Sequence, residues 1–107
     1  MFIGEFKEFY PRKDYGFPSI ASFISDTPHP DKAAVISYLK SGGRGVAAST
    51  GVNKDVFTGD VFGLAENLRD DGEFQWSDTL AHYVDKYNLR LPDEFVAKAL
   101  EEYGAGA

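Results

Sequence analysis

Carboxylates and two histidines are the residues of this chain best suited to chemistry, and only one histidine has acidic neighbours at a useful spacing. His82 follows Asp78 by four residues and precedes Asp85 by three, so on a helix the three share one face and could hold a metal ion or poise a proton. Functional zinc sites recruit three or four protein ligands, and the other histidine, His29, stands between Pro28 and Pro30 in a distant loop. The spacing therefore favours a solvated polar face. A small hydrolase using His82 with neighbouring carboxylates, metal-dependent or not, is the alternative.

Two other stretches imitate ligand loops. Gly42-Gly43-Arg44-Gly45, running through Ser49-Thr50-Gly51 to Lys54, has the glycines and lysine of a phosphate loop, but Lys54 trails the last glycine by three residues and hairpin residues follow where a helix is needed. Asp70-Asp71-Gly72-Glu73 imitates the turn of a calcium loop, yet the preceding positions are Leu68 and Asn67, and Asp78 stands in place of the closing glutamate. Both read as backbone turns. No catalytic residue, cofactor site or metal site is assigned, and no cofactor is expected.

Composition narrows the class. The 107 residues fit one core, and 43% hydrophobic with 15% aromatic content is enough apolar surface to offset the entropy of ordering the chain. Without cysteine there are no disulfides or thiolate sites, and an extracellular domain of this size would usually recruit disulfides. The acidic residues at the N-terminus interrupt any signal sequence, and no apolar run approaches the ~20 residues that span a bilayer, so a cytoplasmic location is expected.

Charge is divided unevenly. Residues 1–54 hold seven Lys or Arg against five Asp or Glu, whereas residues 55–107 hold four against twelve, and the whole carries −6. An acidic half repels phosphate backbones and anionic lipid, which argues against nucleic-acid and membrane partners and for a basic protein partner.

The periodicity predicts an α+β fold: a small antiparallel sheet of two hairpins plus short strands, packed against about four helices. A strand is expected at 2–6, a short helix after Pro18 with Ile20, Phe23 and Ile24, and a firm helix from Pro30-Asp31 with Val35, Ile36 and Leu39, ending at Gly42-Gly43. Val46-Ala47-Ala48-Ser49 reads as a short strand whose small side chains suit close packing on that helix. Val56-Phe57 and Val61-Phe62 flank a turn at Thr58-Gly59-Asp60. In the second hairpin a three-residue Asp70-Asp71-Gly72 loop sets Leu68 opposite Phe74 and Arg69 opposite Glu73.

Ser77 then caps a helix carrying Leu80, Tyr83, Val84 and Tyr87 on one stripe, closed by Asn88 in the left-handed conformation with Leu89 folding back. Pro92 starts a last helix with Phe95, Val96, Ala99 and Tyr103 on its buried face, and these two helices should form a corner docked on the sheet. Residues 1–103 are expected to form one domain and residues 104–107 a flexible tail. Phe9, Tyr10, Tyr15 and Phe17 crowd a turn-rich stretch where no periodicity buries them, so they either cover the core or form an interface.

Asp71-Gly72-Glu73-Phe74-Gln75-Trp76-Ser77, then Tyr83-Val84 and Tyr87, then Leu91-Pro92-Asp93-Glu94-Phe95 resembles a pattern in small, mostly uncharacterised bacterial proteins, some of which look like immunity proteins of toxin–immunity systems. The resemblance implies a non-enzymatic binding protein that neutralises a basic toxin. Charge points to the same class, with Asp70, Asp71, Glu73, Asp78, His82 and Asp85 as the expected partner-binding set. A structural subunit of a homo-oligomer is the further alternative.

Overall fold

The computed structural model describes residues 1–104; the rest of the tail expected at 104–107 lies outside the described residues. Its elements are α1 (Lys32–Ser41), β1 (Arg44–Lys54), β2 (Val61–Asp70), β3 (Gln75–Ser77), α2 (Leu80–Tyr87) and α3 (Asp93–Tyr103). The strands form one antiparallel sheet in the order β1-β2-β3, so the fold is α+β. Three α-helices are present among the described residues, where about four were expected. The stretch after Pro18 makes only a 3₁₀ turn, Ile20–Phe23, because Ser19 caps it at Ala21 and Ile24 is already extended. The expected strand at 2–6 shrinks to a single parallel bridge between Phe2 and Gln75.

The two hairpins share β2, and both loops are longer than their turn residues suggest. In the first, Lys54 pairs with Val61, so Val56 and Phe57 belong to the loop and not to a strand. In the second, Leu68 faces Ser77 and Arg69 faces Trp76, three positions away from the expected register. The cause is Asp71: its Oδ1 accepts the amides of Glu73 at 2.9 Å and Phe74 at 2.6 Å, which draws those residues into the turn before pairing begins. Arg69 then donates to the Gly42 carbonyl at 2.7 Å in place of the expected ion pair with Glu73. β1 does not pack under α1; it is exposed along nearly its whole length, paired among the described residues only with β2 and interrupted by bulges at Val46 and at Gly51-Val52.

The core lies between β3 and the helices. Trp76 is fully buried, its indole Nε1 donating to the Leu39 carbonyl at 2.8 Å, with Tyr38 stacked at 5.3 Å and Phe95 edge-on at 4.9 Å. Burying Phe74 and Phe95 beside it contributes roughly 2–3 kcal/mol each. α1 packs against both α2 and α3, so the helix packing runs through α1 in place of the direct corner expected between the last two helices. Asn88 adopts φ 54°, and Leu89 is buried with its amide on the Tyr83 carbonyl, as the sequence pattern requires. Tyr103, expected on the buried face of α3, stays 40% exposed. No helix of the described residues is long and apolar enough to cross a membrane.

Candidate functional site

The loop joining β1 to β2 is pinned to α2 through Asp55, the one charged residue buried as a whole among the described residues, at 2% exposure. Its Oδ1 accepts the amides of Phe57 at 2.8 Å and Thr58 at 3.2 Å, an Asx turn that begins the loop. Its Oδ2 accepts the Tyr87 hydroxyl at 2.6 Å and bonds His82 Nε2 at 2.8 Å. Burial pushes the carboxyl up, but the bonds from Tyr87, His82, Phe57 and Thr58 outweigh it and hold the group at about 2. The same bond to Asp55 pushes the Tyr87 hydroxyl up to about 12.

Aromatic rings surround this hub. Phe62 lies flat on the His82 imidazole at 3.8 Å, Phe57 leans on Tyr87 at 4.6 Å, and the Tyr83 hydroxyl accepts the Val56 amide at 3.2 Å. His82 is therefore not on a solvated face, as its spacing suggested; it is a half-buried anchor. Its partner stands 27 residues away, and the only local signal for it was the Asp55-x-x-Thr58-Gly59 turn sequence.

The six residues expected to bind a partner divide into two groups. Asp78, His82 and Asp85 line a groove of about 640 Å³ between α2, α1 and β2, together with Lys40, Asn53 and Phe62. Asp78 is engaged there, accepting the Asn67 amide at 3.0 Å and its side-chain nitrogen at 2.9 Å. Among the described residues no three His, Asp or Glu side chains gather as ligands of a metal ion. Asp70, Asp71 and Glu73 stand apart, at the β2–β3 turn.

Asp71 is spent on internal bonds: Tyr38 donates to it at 2.6 Å and Lys98 lies 3.3 Å away. Burial raises its carboxyl, yet the bonds from Phe74, Tyr38, Glu73 and Lys98 bring it down to about 2. Glu73 pairs with Lys98 at 2.9 Å, and Asp70 caps Gly72 at 2.6 Å. Of the six, Asp85 alone has a carboxylate without an internal hydrogen bond or ion pair among the described residues.

The N-terminal aromatics behave differently again. Phe9 packs on Tyr83 at 5.6 Å, at the margin of the core. Tyr10, Tyr15 and Phe17 instead pack on one another, with centroids 5.3–5.5 Å apart, and Tyr15 is 53% exposed. This three-ring cluster rims a cleft of about 340 Å³ through Tyr10, with Phe2, Phe9, Phe62 and Tyr83 among its walls. Glu8 and Glu66 also line it, and composition gave no signal that these two acids, 58 residues apart, would meet there. Burial raises the Tyr10 hydroxyl, and the charges of Glu5 and Glu66 raise it further. No protein-family model, no curated protein and no solved structure matches this chain.

Proposed function

We propose that the chain is a non-catalytic protein-binding domain that meets a basic partner, with a bacterial immunity protein neutralising a basic toxin as its biological form. The observation that carries this reading is the Tyr10-Tyr15-Phe17 cluster: three rings held together outside the core, on a segment without helix or strand. Rings of this kind are poor solvent-facing groups and good interface anchors, since their area is large and their rotamers few. The net charge of −6 supplies attraction to a cationic surface.

The test compares capture from lysate of the native cell by the wild-type chain and by Tyr15→Ala/Phe17→Ala. A basic protein retained by the first, held about thirty-fold more weakly by the second and inhibited on binding, supports the reading. Equal retention by both, with unchanged unfolding midpoints, removes the cluster from consideration.

A second reading, a hydrolase with His82 as base, draws on the Asp55–His82 bond and the adjoining groove. The first is preferred because all of Asp55's bonds serve to hold a loop on α2, and among the described residues no serine or threonine hydroxyl is bonded to His82. Hydrolysis of ester or phosphoester probes that disappears in His82→Ala would reverse that preference.

A further inference from the structure

Resting on the protein-binding reading above, we infer that the cleft beside Tyr10 receives one cationic side chain of the partner, an arginine guanidinium, between aromatic walls and the carboxylates of Glu8 and Glu66.

The cleft's size suits one side chain: about 340 Å³ lies at the bottom of the range for drug-sized ligands. Phe2, Phe9 and Tyr10 are among its lining residues, and a planar guanidinium packs on aromatic rings better than an ammonium, which meets them only as a point charge. Its charge has the right sign. Glu66 has no hydrogen bond or ion pair among the described residues, although it sits partly buried on β2. Glu8 is held rigid, its two oxygens accepting the Ser19 hydroxyl at 2.5 Å and the Ile20 amide at 2.9 Å, and those bonds keep it ionised against the opposing effect of burial.

Lys54 also lines the cleft but pairs with neither carboxylate, so two acids face one cation and a negative charge is left over. A fixed carboxylate, a free one and flanking rings are what a bidentate cation needs on arrival.

The experiment titrates isotope-labelled full chain with Nα-acetyl-arginine amide and, separately, with its neutral citrulline isostere, following backbone amides by NMR. The expected result is saturable shifts at Tyr10, Asn53, Glu66 and Thr79, with the citrulline probe about tenfold weaker. Glu66→Gln should weaken the arginine probe about five- to tenfold without moving the unfolding midpoint, whereas Glu101→Gln, an exposed carboxylate of α3 outside the cleft, should leave probe binding unchanged. Equal binding of the two probes, or shifts centred on His82 and Asp85, overturns the inference. Because the probe assay needs no protein partner, its failure is separate from failure of the Tyr15→Ala/Phe17→Ala capture.

Discussion

Replacing Asp55 with asparagine tests the hub most directly, because it keeps the shape and removes the charge that four donors address. The folded carboxyl sits at about 2 against an ordinary 3.8, and a lowered folded value means that the unfolded chain binds the proton more readily. The stabilisation is therefore complete above the unfolded value and is lost as pH falls through the folded one. A depression of that size is worth about 2 kcal/mol in full, and about half of it remains near pH 3.

Asp55→Asn should thus lower stability by about 2 kcal/mol at pH 5, with the gap to wild type closing to about 1 kcal/mol at pH 3. Urea unfolding read by the chain's one tryptophan, Trp76, which is fully buried, supplies the assay. A gap that stays constant from pH 5 to pH 3 would refute the reasoning, since it would place the loss in packing and not in charge.

Tyr38→Phe removes the 2.6 Å hydrogen bond to Asp71, which should cost about 1–2 kcal/mol and move the Asp71 carboxyl up from about 2; an unshifted carboxyl NMR titration would contradict this. Gly43→Ala should be more damaging than Gly16→Ala, although both glycines have positive φ, because a Cβ at Gly43 runs into the Asp70 carbonyl while none of the surroundings of Gly16 lies within 4 Å. The expected losses are about 3 and about 1 kcal/mol, and equal losses in urea titrations would show that the clash is relieved by movement.

Where local rules decided the structure, the sequence was readable. Pro30-Asp31 marked the start of α1, and Asn88 with Leu89 closed α2, because a left-handed cap is a property of a few consecutive residues. The register of the second hairpin was misread for a related reason. An Arg69–Glu73 ion pair and an Asp71 side chain holding two amides are both local, and the latter wins because charge-assisted bonds to backbone donors are worth more than an exposed ion pair. The small residues of β1 suggested close packing on α1, but low volume fits an exposed, bulged edge equally well, and composition does not separate the two.

The candidate sites were the least legible part, and the shortfall follows from where their contacts lie. Helical spacing put Asp78, His82 and Asp85 on one face; all three line the same groove, but Asp78 does so from the turn before α2, which begins at Leu80. What spacing cannot supply is what arrives opposite: Asp55 from a loop 27 residues earlier turns His82 from a solvent-facing group into an anchor. The acidic C-terminal half was likewise visible as a count, yet Asp71 and Asp78 neutralise donors within the fold, and Glu66 meets Glu8 from the other half of the chain. Charge counted along a sequence therefore locates an attraction only loosely; the carboxylates available to a partner are those left after the backbone and neighbouring side chains have taken theirs, such as Glu66 in the cleft beside Tyr10 and Asp85 in the groove beside His82.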